Sequence, residues 1–134
     1  MRKEPEASEL KEILKSAGLK APVDVTKLKK LLLPVVGIPL EKLMWHFDLP
    51  VWSQDGTTEL NLTPWDVIQE NEGSETQFIK VEQANMDTPI IVTEYQSNVV
   101  ILDGLHKVVN AFLSGQKRVK AKIVSPEVLL SPEI

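Results

Sequence analysis

The chain has 134 residues, 43% of them hydrophobic, and a formal net charge of −4. This length and composition are sufficient for one globular domain with a modest core. No apolar run is long enough to span a bilayer, and the charged segment Met1–Glu6 lacks the apolar region of a secretory signal. The absence of cysteine is typical of a reducing compartment, so we expect a cytoplasmic protein with no membrane partner.

The charges are unevenly distributed along the chain. The segment 55–87 is acidic, whereas cations cluster near the C-terminal end, at Lys107, Lys117, Arg118, Lys120 and Lys122. The negative net charge disfavours nucleic acid as a ligand. A basic cluster on an acidic protein suits a small anionic ligand better.

Residues 1–36 are expected to form an N-terminal helical extension. Ser8 can cap a first amphipathic helix, and Asp24 or Thr26 can cap a second one. Short amphipathic helices need tertiary contacts to persist, so residues 8–33 are expected either to pack against the domain or to bind a protein partner. A helix-turn-helix that reads DNA is disfavoured because glutamates balance the lysines of this segment.

The clearest functional signal is a predicted strand, turn and helix. Val99–Leu102 is an apolar run typical of a buried strand, and the turn residues Asp103 and Gly104 follow it. The helix that comes next carries His106 and Lys107 in its first turn. A helix N-terminus presents free backbone N–H groups and the positive end of the helix dipole. This arrangement indicates a site for a phosphate or a nucleotide.

The segment Pro89–Lys107, with Val119–Val124 after it, resembles the ParB/sulfiredoxin superfamily. The shared pattern begins with a P-I-x-V strand, a short turn and a second strand that ends in D-G. A helix follows, with a histidine and a basic residue in its first turn, and then a further strand. The resemblance implies an α+β fold over residues 37–134, in which helices pack on a small mixed sheet.

Within this fold, two antiparallel strands and one helix are predicted. The strands are residues 89–95 and 99–102, joined by a turn at 96–98, and the helix runs from about 105 to 114.

Differences from the family pattern exclude some of the activities that family members have. Leu105 occupies the position of the sulfiredoxin catalytic cysteine, which excludes reduction of cysteine sulfinic acid. The chain ends soon after Val124, without the helix-turn-helix domain of partitioning ParB proteins, so centromere binding is not expected. Lys107 replaces the arginine of the family, which keeps the positive charge but loses the bidentate fork that grips a phosphate.

The resemblance implies binding of a nucleotide or other small phosphorylated ligand, with phosphotransferase or nucleotide-hydrolysing activity and a nucleoside triphosphate with Mg²⁺ as cofactor. Asp103, His106 and Glu41 would be catalytic, with Glu41 as the acidic base. The ligand-binding residues would be those around the first turn of the helix: Gly104, Leu105, His106 and Lys107.

The run Trp45–Asp48 alternates apolar and polar side chains, which predicts a strand with an aromatic core face and a solvated polar face. Alternatively, His46 and Asp48 lie across a cleft from Asp103 and His106, where they could serve acid–base chemistry or a metal ion. A ParB-like nuclease would then hold a divalent ion with Asp103, His106 and Asp48, the two carboxylates being the metal ligands. A partner-binding module that kept the fold and lost catalysis is the remaining alternative.

Overall fold

The computed structural model describes residues 5–19 and 23–130 of the chain. Their elements, in chain order, are α1 (Pro5–Ala17), α2 (Val25–Lys29), β1 (Val36–Pro39), two short 3-10 helices (Leu40–Lys42 and Met44–Asp48), α3 (Pro64–Ile68), α4 (Glu75–Glu82), β2 (Ile90–Tyr95), β3 (Asn98–Asp103), α5 (Leu105–Leu113), β4 (Arg118–Val124) and α6 (Pro126–Leu130). No helix within these two ranges is long and apolar enough to cross a bilayer.

The strands form one four-stranded mixed sheet in the order β1-β4-β2-β3. β1 pairs antiparallel with β4, β2 pairs antiparallel with β3, and the central pair β2 and β4 is parallel. The predicted α+β class is therefore confirmed, as are the antiparallel hairpin and the helix that follows it.

The two residues of the hairpin turn, Gln96 and Ser97, both have positive φ, at 49° and 69°. This backbone matches the right-handed twist of the flanking strands.

The central strand β2 is buried on both faces over its first four residues, whereas β4 alternates buried apolar residues with cations. Every residue of Ile90–Thr93 is buried, and the hydroxyl of Thr93 satisfies its burial by donating to the carbonyl oxygen of Val124 at 2.6 Å. The helix α5 buries Leu105, Val108 and Val109, which are spaced as one helical face. Together these residues fix the end of β3 and the start of α5 against β2.

The N-terminal helices α1 and α2 pack against the sheet domain. Ile13, Leu19 and Leu28 are each at most 3% exposed and belong to the same core as the sheet. α1 begins at Pro5, so Ser8 lies inside the helix and the prediction that it is the cap is wrong. Asp24 is the cap of α2, and its carboxylate accepts from the backbone N–H of Lys27. The division into residues 1–36 and 37–134 stays a prediction.

The predicted strand at 45–48 is wrong, because these residues form a 3-10 helix. His46, expected on a solvated face, is fully buried, whereas Asp48 is exposed. Both ring nitrogens of His46 have backbone partners, at Leu43 and Ile101, which removes the cost of burying the ring. Alternation of apolar and polar side chains over only four residues is compatible with a 3-10 helix as well as with a strand. The helix is possible here because the polar ring of His46 has hydrogen-bond partners in the core.

Candidate functional site

The turn between β3 and α5 is fixed by a close approach of two backbones. Gly104 has φ +110° and is the N-cap of α5. A Cβ at this position would lie 2.6 Å from Cγ2 of Ile90, which is closer than real contacts allow. Glycine is therefore required here for packing against β2, whether or not a ligand approaches it. The position of Asp103, one residue earlier, follows from this packing.

A pocket of about 290 Å³ opens beside this turn, and we call it the lysine pocket after Lys29, Lys107 and Lys122, which line it. Its charged residues come from four separate elements, and the residues that line it include Lys29, Thr88, Ile91, Asp103, Lys107 and Lys122. The sheet register pairs Ile91 with both Asp103 and Lys122, so these two charged residues flank the same position of β2. Among the described residues, three lysines thus share the pocket with one carboxylate, and this excess of positive charge favours an anion.

Lys107 is the most constrained of the three lysines. Its ammonium group donates to the carbonyl oxygen of Thr88 at 3.3 Å and to the hydroxyl of the same residue. Partial burial lowers the pKa of Lys107, and the nearby charge of Lys29 lowers it further, whereas Asp103 acts in the opposite direction. Lys29 also lies 3.9 Å from the carboxylate of Asp103. A partly desolvated ammonium group next to another cation gains from the arrival of an anion.

His106 does not line the lysine pocket, although the sequence predicts that it shares a site with Lys107. Its ring stacks on Trp52 with centroids 4.5 Å apart, and its Nε2 lies 2.7 Å from Oε1 of Gln77 on α4. Trp52 in turn donates from its indole N–H to the carboxylate of Glu9 at 2.6 Å. These contacts connect α1, α4 and α5. The side chain of Leu105 is fully buried in the core.

Glu41 and Asp48, which were also predicted as site residues, lie outside the lysine pocket. Glu41 and Asp48 are exposed on the two 3-10 helices, and neither lines this pocket. Within residues 5–19 and 23–130, no group of three or more His, Asp or Glu side chains is placed to hold a metal ion. Of the predicted residues, the pocket brings together Asp103 and Lys107. A catalytic role of Glu41 or His106 and a metal ion on Asp48 and Asp103 stay predictions.

Sequence reasoning missed Lys29 and Thr88 as residues of this pocket. Lys122 belonged to the basic cluster seen in the sequence, but no local pattern placed it opposite Asp103. Lys29 comes from a helix that is distant in the chain, and from the sequence it was considered only as one of the lysines that the glutamates of its own segment balance. Only the tertiary packing of α2 against the end of β3 brings it to the pocket.

Comparisons of this chain with protein-family models, with curated proteins and with solved structures gave no match. The ParB/sulfiredoxin resemblance therefore stays an expectation from the sequence motif, and the functional argument depends on the geometry of the pocket.

Proposed function

We propose that the lysine pocket binds the phosphate group of a small phosphorylated ligand, and from here on we call it the phosphate pocket. The observation that carries this proposal is the lining of the pocket. In the part of the chain that the structure describes, Lys29, Lys107 and Lys122 share a volume of about 290 Å³ with a single acid, Asp103. Phosphate oxygens accept strong charge-assisted hydrogen bonds from ammonium groups. A phosphate at this point would reduce the repulsion between the lysines.

The position of Lys107 in the first turn of α5 adds to this attraction. The positive end of the dipole of this nine-residue helix contributes a favourable potential for negative charge within its first turn. A cation at that end is unfavourable on its own, and such local conflicts tend to occur at functional sites. Asp103 could accept a hydrogen bond from a hydroxyl group of the ligand and so orient it.

The size of the pocket limits the ligand. Sites for small molecules commonly enclose about 300–1,000 Å³, so this pocket is near the lower limit. It fits a small phosphorylated compound, or the phosphate end of a nucleotide with the base outside. The nuclease alternative needs Asp48, His106 and Asp103 around one ion, and only the last of these lines the pocket.

Isothermal titration calorimetry with inorganic phosphate, phosphosugars and nucleoside triphosphates tests the proposal. A charge-assisted contact contributes roughly 1.5–3 kcal/mol, so Lys107→Ala should weaken binding about ten- to a hundredfold. Lys107→Arg should preserve or strengthen binding, because it keeps the charge and supplies a bidentate donor.

Lys80→Ala is the matched control, because Lys80 is exposed on α4 and does not line the pocket. It should bind as the unchanged protein does. If none of the compounds binds, or if Lys107→Ala and Lys80→Ala have the same effect, the phosphate site is refuted and the partner-binding module becomes the better hypothesis.

A further inference from the structure

A second pocket adjoins the phosphate pocket on the other side of Lys107. It has a volume of about 250 Å³, and the residues that line it include Met86, Thr88, Lys107, Arg118 and Lys120. Thr88 and Lys107 belong to the walls of both pockets. The described residues that line the second pocket include three cations and no carboxylate, so it too attracts an anion.

The strand β4 contributes one lysine to each pocket alone and so determines the distance between them. Lys120 lines only the second pocket and Lys122 lines only the first, and both belong to β4. Residues two apart on a strand lie on the same face, about 7 Å from each other. The cations of β4 therefore form a row that runs from one pocket into the other.

Hydrogen bonds hold two of the cations around these pockets in place, Arg118 on β4 and Lys107 on α5. The guanidinium of Arg118 donates to the carbonyl oxygen of Gly37 on β1 at 3.2 Å, which places its charge along the edge of the second pocket. Lys107 is held by its two bonds to Thr88, and its ammonium group has three N–H donors. One donor therefore remains for an anion at the boundary between the pockets.

We propose that the ligand carries two phosphate groups on a small scaffold, one bound in each pocket, with Lys107 between them. This inference rests on the proposed function, since it requires the first phosphate to bind between Lys107 and Lys122. Pyrophosphate is too short for the spacing of the row, because its two phosphoryl groups share one oxygen. In a sugar bisphosphate the two phosphates are attached to different carbons, so they are far enough apart for one to bind in each pocket.

The test is calorimetry with fructose 1,6-bisphosphate, fructose 6-phosphate, pyrophosphate and inorganic phosphate. The bisphosphate should bind at least about tenfold more tightly than the monophosphate, as one added charge-assisted contact predicts. Lys120→Ala should remove this advantage and leave the binding of inorganic phosphate in the first pocket unchanged. Lys122→Ala should weaken the binding of all four compounds, and Lys80→Ala should change none. Circular dichroism of each variant checks that the fold is retained.

The outcomes separate the inference from the proposed function. If the monophosphate and the bisphosphate bind equally and both depend on Lys122 alone, the two-phosphate ligand is refuted and the phosphate pocket stands. If pyrophosphate binds most tightly, the spacing argument is wrong. A single-stranded oligonucleotide is titrated in parallel, and if it binds more tightly than the bisphosphate, the ligand is a polynucleotide and the two-phosphate small molecule is refuted. If no compound binds, both proposals are refuted.

Discussion

The side chain of His46 accepts a hydrogen bond at its Nε2 from the backbone N–H of Ile101, at 3.0 Å. Its Nδ1 lies 2.7 Å from the carbonyl oxygen of Leu43, to which it can only donate. The two bonds together require the neutral ring, with its proton on Nδ1. The 3-10 helix Met44–Asp48 is thereby attached to the central part of β3.

Acid should destabilise the protein through His46. Burial lowers its pKa from 6.5 to about 4. Because the unfolded state binds the proton first, stability is lost as the pH falls from about 6.5 towards 4, and the loss is roughly 3 kcal/mol. The free energy of urea unfolding between pH 7 and pH 4.5 measures this loss. His46→Gln is the control: it should be less stable at pH 7 and depend less on pH over this interval. Equal pH slopes for the two proteins would contradict the assignment.

Gly104→Ala should destabilise the protein more than Gly115→Ala. Both glycines have positive φ, at 110° and 75°, so each alanine should cost about 1–2 kcal/mol in backbone conformation. A methyl group at 104 would also meet Ile90 at 2.6 Å, whereas no atom lies within 4 Å at 115. Overpacking of this kind adds about 1–3 kcal/mol. Denaturant unfolding of the two variants gives the difference, and equal losses would show that Ile90 can move aside.

Ile13→Ala should lower the free energy of unfolding by about 2–5 kcal/mol, because Ile13 is 1% exposed in the shared core. Leu32→Ala is the matched control, since Leu32 is 99% exposed and should change stability by less than about 0.5 kcal/mol. Both can be measured by thermal or urea unfolding. If Ile13→Ala leaves the main unfolding transition unchanged, residues 1–36 are a separable extension. A lower transition for the whole chain would show that they complete the core.

Asp103→Asn should strengthen the binding of inorganic phosphate at pH 7, by roughly five- to tenfold, because it removes the carboxylate from the pocket. Calorimetry in buffer without divalent ions measures this effect. The same titration with Mg²⁺ tests the metal role predicted for Asp103. If Mg²⁺ strengthens binding to the unchanged protein and not to Asp103→Asn, the carboxylate is a metal ligand. If Asp103→Asn weakens binding without Mg²⁺, the carboxylate supports the phosphate site through its neighbouring lysines.

The parts of the fold that the sequence predicted correctly are those determined by local signals. The apolar run before Asp103 and Gly104 gave the strand β3, and the apolar spacing after it gave α5. The hairpin was predictable because its strands are joined by a short turn. The 3-10 helix at Met44–Asp48 was not, since its conformation depends on a partner of His46 that lies 55 positions away.

In the candidate site, too, the residues determined by local signals were predictable and those determined by tertiary packing were not. Asp103 and Lys107 could be placed beside each other because a single strand, turn and helix carries both. His106 was assigned to the same site from its place in the first helical turn. Successive helical residues point in different directions, however. The partners of His106 are Gln77 on α4 and the ring of Trp52, and tertiary packing brings them to it.

The parallel pairing of β2 with β4 determines when the pocket can form during folding. Ile90 pairs with Ala121, and the whole of β3 and α5 lies between them in the chain. Such a non-local ladder carries a loop-closure cost, whereas a hairpin with a two-residue turn closes within about 1–10 μs. The β2–β3 hairpin should therefore precede the parallel ladder on the folding pathway. Lys107 and Lys122 are brought together only after β4 has docked, so a ligand that bridges them should mainly slow unfolding and barely change the rate of hairpin formation.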